Sequence, residues 1–312
     1  MKLKKILLAF LLIIGFSTVN YASHDVQILS VNNVDGKITP KTIEAAFEKA
    51  GFFINDNRDM NVPFKNYCKV PQYKTYNLFT IFKKDFVLKL AKKYPNIGLF
   101  SPMSMSIYQE KGNDKISVSS LSVAAMAKIM GVPADDADLV AYGKLVQDTL
   151  KVALPNGSLE KVTYEMKKPE GPLTYTAQLK MEEDADWEEV KDDFQMEFEG
   201  ELPLKKFVMA GFNDLNYDFE ESKFEEYNYY DVYSICYIEV IYTVSIKHPE
   251  AGAFAPCSLY MYNKKDTNTM EIGFPSVYNW IASLAIEDKE SIDILTHAQK
   301  SMEEILTKLT KK

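Results

Sequence analysis

The sequence predicts an α+β protein: two tandem copies of a small two-layer α/β domain, each with a mainly antiparallel sheet, arranged as a pseudo-dimer. Three observations predict it. A motif recurs at a fixed distance, the motif and the segment after it alternate with period two, and helical stripes flank it in both copies.

The repeated motif is PNIGLFSPMSMSIY at 95–108 and PEAGAFAPCSLYMY at 249–262. Pro95/Pro249, Gly98/Gly252, Phe100/Phe254, Pro102/Pro256, Ser104/Ser258 and Tyr108/Tyr262 all stand 154 residues apart. Without a gap, the same offset also matches Lys111/Lys265, Ser122/Ser276 and Val123/Val277. A single offset for all nine identities points to a duplicated domain.

Taken in order, the chain begins with a signal peptide over residues 1–23. Lys2, Lys4 and Lys5 precede the apolar run Ile6–Phe16, and the small residues Ala22 and Ser23 suit a cleavage site. The run is too short to span a bilayer, which takes about 20 apolar residues. The protein is therefore expected to be exported to the periplasm or the extracellular space, with no stable membrane span once the signal is cut. The first repeat domain covers 24–155. Thr39-Pro40 reads as a helix N-cap with proline at the first helical position, Ile43, Ala46, Phe47 and Ala50 form the apolar stripe, and Gly51 suits the C-terminal cap. In the motif strand, Met103, Met105 and Ile107 face the core, and Ser104, Ser106 and Tyr108 face the other way. A second strand carries Ile116 and Val118, and a terminal helix carries Tyr142, Val146 and Leu150. Pro155-Asn156-Gly157 marks the boundary.

The second repeat domain, 158–312, follows the same plan. Asp186 caps a helix striped by Trp187, Val190 and Phe194, and Cys257, Leu259 and Met261 alternate with Ser258, Tyr260 and Tyr262. The last helix carries Leu295, Ala298, Met302, Ile305 and Leu309. Aligning the two first helices on their caps gives an offset of 144 rather than 154, hence an acidic insertion of ten residues placed within Met209–Tyr230.

A strand entered through Pro, Gly and a second Pro, closed by Tyr, and followed by a short strand and a long terminal helix resembles the bacterial "domain of unknown function 302" family. Pro249-x-x-Gly252 and Pro256-Cys257 carry the resemblance best; the first copy departs from it with Met103 in place of Cys. The resemblance implies compact α/β domains that pair as homodimers, a pair that a tandem chain forms internally. It implies no reaction, cofactor or catalytic residue.

Composition narrows the function. A net charge of −8 and a pI near 5.2 argue against nucleic acid as a partner. The three His residues show no metal-ligand spacing, and the chain lacks a nucleophile elbow, a phosphate loop and a C-x-x-C pair. Residues 182–201 hold eleven acidic groups against Lys191 alone and read as a solvated helix face. Cys236, set opposite Phe79, and Cys257, set opposite Met103, read as small buried hydrophobes. His248 falls opposite Tyr94 and reads as a surface residue. Ser104, Tyr108, Ser258 and Tyr262 are the candidate ligand-binding residues, because they recur on the face turned away from the core and Tyr joins an apolar body to a hydrogen-bonding tip.

These observations favour a non-catalytic, exported module that binds a small ligand or a protein, with its repeats paired to each other. The alternatives are an enzyme with its site in the cleft between repeats, or a copper or thiol-redox protein using Met103, Met105, Cys236 and Cys257. N-terminal sequencing of the exported protein is expected to start near His24; an intact residue 1–20 segment on that pool would overturn the export reading.

Overall fold

A computed structural model describes residues 24–67 and 73–311. The signal segment and Cys68 lie outside the described residues. The first half runs β1 (Val26–Asn32), α1 (Pro40–Lys49), β2 (Phe53–Asp59), α2 (Asn61–Tyr67), β3 (Tyr73–Phe82), α3 (Lys84–Ala91), a 3-10 turn (Pro95–Phe100), β4 (Met103–Glu110), β5 (Lys115–Leu121), α4 (Val123–Met130) and α5 (Ala137–Ala153). The short β6 (Ser158–Leu159) pairs with β1, so the first sheet reaches past residue 155. The second half runs β7 (Thr174–Lys180), α6 (Trp187–Leu204), β8 (Val208–Asp214), α7 (Leu215–Glu221), β9 (Tyr227–Cys236), α8 (Ile238–Ser245), a 3-10 turn (Pro249–Phe254), β10 (Cys257–Lys264), β11 (Thr269–Pro275), α9 (Tyr278–Ser283) and α10 (Lys289–Thr310).

The protein is α+β, with two antiparallel sheets ordered β2-β3-β4-β5-β1-β6 and β8-β9-β10-β11-β7. Apart from β6 the two orders are the same. The expected caps form: the Thr39 side chain accepts from the Thr42 backbone N–H in a capping box, and Asp186 caps α6. The extra length of the second copy does not lie within Met209–Tyr230. That segment contains β8, α7 and the start of β9, matching β2, α2 and β3 element for element. The length is in the helix before it, since α6 has 18 residues against 10 in α1. The two helices correspond at their C-terminal ends, Ile43 and Phe47 of α1 taking the places of Phe198 and Leu202 of α6. The extra turns at the start of α6 bring Lys191 to the fully buried Asp231, 3.1 Å away.

Both faces of the central strands β3, β4 and β9 are buried, while the edge strands β2, β7 and β8 stay partly exposed. Met103, Met105 and Ile107 pack on the helix side. Over the central strands the other side is covered by the 3-10 turn of the opposite repeat, and the two sheets touch directly at the edge strands β2 and β8, where Asn213 donates to Asn55 at 2.7 Å. The contacts are reciprocal, as two-fold symmetry requires. Ser104 Oγ donates to the Pro256 carbonyl at 2.9 Å, and Ser258 Oγ donates to the Pro102 carbonyl at 3.0 Å. Tyr76 donates to the Pro249 carbonyl, and Tyr230 to the Pro95 carbonyl. Helix α2 meets α8 through Phe64 and Tyr242, and α7 meets α3 through Asp218 and Lys84.

Each turn can come this close because its third step is glycine. A Cβ on Gly98 would lie 2.6 Å from the Tyr260 Cβ, and one on Gly252 would lie 2.5 Å from the Ser106 Cβ. Gly98→Ala and Gly252→Ala are each expected to lower stability in denaturant unfolding by about 1–3 kcal/mol, the usual cost of overpacking. Two variants as stable as the parent would show that the turns are not clamped.

Candidate functional site

Ser104 and Ser258 are buried, and their hydroxyls are spent on the opposite repeat's proline carbonyls. Tyr108 is buried beside Tyr73 and Tyr76, with ring centroids 6.5 Å from each. Burial, reinforced by the nearby Glu250 carboxylate, holds its hydroxyl well above the usual phenol range. Tyr262 is half-buried in a corresponding cluster, stacked on Tyr230 at 5.2 Å and on Tyr260 at 5.7 Å. The four residues therefore fall into two equivalent groups along the seam between repeats.

The equivalence breaks at the second residue of the turn. Where the first turn carries Asn96, the second carries Glu250, which is buried against the first sheet. Its carboxylate accepts from the Tyr164 hydroxyl at 3.1 Å and lies 3.6 Å from His248 Nδ1. The His248 side chain is only 17% exposed, so it belongs to the seam rather than to the surface. This carboxylate–imidazole pair is the nearest approach to an acid–base arrangement on the seam, but it lines neither of the two cavities described next.

The first cavity, of about 60 Å³, lies on the helix side of the second sheet, among Phe207, Cys236, Val240, Cys257, Trp280 and Ala298. The second, of similar size, lies at the seam where the bulged edge strands β2 and β8 approach, with Asp56, Arg58, Thr80 and Pro256 in its wall. There the Asp56 carboxylate is raised above its usual range by burial, although Arg58 sits 2.8 Å away and opposes the shift. Neither cavity touches Tyr108 or Tyr262, so the seam tyrosines and the open space are in different places.

Sequence reasoning missed the first cavity because it comes from a register that the helical stripes alone leave open. The buried residues Leu139, Tyr142, Val146 and Leu150 of α5 take the places of Leu295, Ala298, Met302 and Leu306 of α10. In the first repeat the Tyr142 ring is fully buried, 6.3 Å from Phe52 and stacked 5.6 Å from Phe86. The second repeat has Ala298 there, with Phe207 and Val240 in the flanking positions. Cys236 stands opposite Phe82, not Phe79, because Tyr227 and Tyr230 fall on Tyr73 and Tyr76. Three large side chains, Tyr142, Phe82 and Phe86, thus give way to Ala298, Cys236 and Val240.

Both cysteines are free thiols. Burial pushes Cys236 up to about 12, and burial with the neighbouring Cys236 does the same to Cys257. The thiolate is the nucleophile and the soft metal ligand, so these groups are held in their unreactive form. Met103 and Met105 lie in the other sheet, on β4, and do not join them.

No family model matches the chain, and no curated protein matches it. Among solved structures it is similar to the uncharacterized conserved protein DUF302 from Bacillus stearothermophilus, at 16% identity and a TM-score of 0.37, over 45% of this chain and 99% of that one. That neighbour bears the designation of the family that the Pro-x-x-Gly motif resembles.

Thiol labelling checks the protonation of the pair. At pH 8, Cys236 and Cys257 are expected to resist iodoacetamide in the folded protein and to react once it is unfolded, with peptide mapping separating them from Cys68. A raised pKa means the proton leaves only as pH climbs toward 12, so labelling of the folded protein should stay slow through pH 9. Labelling as fast as that of free cysteine would overturn the assignment.

Proposed function

We propose that the chain is a non-catalytic ligand-binding module, exported to the periplasm or the extracellular space. Its first repeat and the seam serve as scaffold, and its second repeat carries the binding site. One observation supports this reading above the others: the same space is filled by the Tyr142 ring in one repeat and left open beside Ala298 in the other. A duplicated fold supplies its own control here. The first repeat shows how the core closes when nothing is to be bound, and the second departs from that packing at several positions around one point.

The seam supports the scaffold role. Its repeated Ser and Tyr hydroxyls are committed to backbone carbonyls of the opposite repeat, which leaves few of them for a ligand. Native mass spectrometry of the mature protein purified from its host tests the reading. A bound mass at one per chain is expected in the parent and absent from Ala298→Leu, which fills the space. Bare protein in both would refute a resident ligand.

A further inference from the structure

The cavity beside Ala298 has a chemistry that narrows its occupant. Its wall is almost wholly carbon and sulfur, from Phe207, Cys236, Cys257, Trp280 and Met302 among others. The one amide in it, Gln299, is already committed: its Oε1 accepts from the Val277 backbone N–H at 3.1 Å, and its Nε2 donates to Glu303 at 2.7 Å. The thiols are neutral and are weak donors. A buried ion would find no counter-charge, and apart from the Trp280 indole N–H and the Tyr237 hydroxyl a strongly polar group would find few partners among the wall residues. What the wall offers is dispersion, from polarisable sulfur and aromatic carbon.

We propose that this cavity is a binding site for a compact, uncharged, polarisable apolar molecule, of the size of xenon or of a few carbon or sulfur atoms. The proposal rests on the ligand-binding reading above and adds the ligand's chemical class. Size follows from the volume of about 60 Å³, which is well short of the roughly 150 Å³ engineered cavity that admits benzene. Met302, with its flexible thioether chain, is the wall residue able to yield to a slightly larger guest. The first repeat supplies the contrast at this one place, where Tyr142, Phe86 and Phe82 fill the equivalent positions; its own space, of about 70 Å³, lies elsewhere, with Gln27, Gln147 and Lys151 in its wall.

The test is xenon titration of the mature protein followed by ¹²⁹Xe NMR, in the parent, in Ala298→Leu and in Cys257→Met, which installs the first repeat's residue. One saturable site is expected in the parent, at least ten-fold weaker in Ala298→Leu and measurably weaker in Cys257→Met. Thermal melts of both variants, expected at or above the parent, keep a folding failure from passing as lost binding. Dimethyl sulfide should displace the xenon and ethylammonium should not. The absence of a saturable site, or equal binding in all three proteins, would overturn the proposal. So would displacement by ethylammonium. A co-purified mass that Ala298→Leu loses but dimethyl sulfide cannot displace would sink the apolar class and leave the binding reading standing. A co-purified mass that Ala298→Leu retains would sink both.

Discussion

Each repeat presses a proline-bounded 3-10 turn into the sheet of the other, and the rest of the molecule is arranged around that exchange. The turns present backbone carbonyls to the opposite repeat. Those of Pro95, Pro102, Pro249, Glu250 and Pro256 accept hydrogen bonds from Ser and Tyr side chains of the opposite repeat. A carbonyl oxygen has two lone pairs, and here each turn's carbonyls also take hydrogen bonds from the opposite repeat, which ties the two repeats together. The same contact removes the second face of each sheet from water. That explains why strands as serine-rich as β4 and β5 are buried on both faces: Ser106 Oγ lies 3.0 Å from the Pro249 carbonyl, Ser119 Oγ 2.9 Å from that of Glu250 and the two hydroxyls 2.6 Å from each other, so their two protons serve two of these three contacts.

The exchange constrains the two copies equally where they meet and leaves them free to diverge elsewhere. Gly98 and Gly252, Tyr76 and Tyr230, and Ser104 and Ser258 keep their identities because each contacts the other repeat from an equivalent position. Departures on the seam come with local adjustment. Where the first repeat pairs Ser106 with Ser119, the second pairs Tyr260 with Gly273, and the Tyr260 hydroxyl lies over the glycine where a Cβ would be 2.5 Å away. On the helix side the constraint is only that the core be filled, and there the copies differ in both directions, with Ala298 in the place of Tyr142 and Phe274 in the place of Ser120.

The duplication, the motif strands and the terminal helices were legible because each rests on a local pattern: an offset, a period of two, a stripe. The register of α6 was not. Trp187, Val190 and Phe194 form a stripe at any point along a long helix, so anchoring on Asp186 aligns the wrong turns and puts the extra residues after the helix rather than within it. The recurrence of Ser104, Tyr108, Ser258 and Tyr262 marks a shared constraint, and for Ser104 and Ser258 that constraint is contact between copies. A hydroxyl needed by the partner repeat and one needed by a ligand look alike in sequence. The cavity was hidden for a different reason. It is a difference between two cores, and it appears only when α5 and α10 are set in register so that Ala298 falls on Tyr142.

An open space in a core is tolerable only if the fold can carry its cost. At about 24 cal/mol per Å³, a cavity of about 60 Å³ costs the folded state about 1–2 kcal/mol. That is a substantial fraction of the few kcal/mol by which most domains exceed their unfolded state. A single small repeat would be poorly placed to absorb it. Here the second repeat is held by the seam as well as by its own core, and the first repeat has no comparable loss beside Tyr142. A molecule that enters the cavity binds the folded chain alone, so its binding energy adds to stability by mass action and offsets part of the deficit. Duplication thus supplies a physical route to a binding site. One copy and the shared seam supply the rigidity, and the other copy is free to leave room.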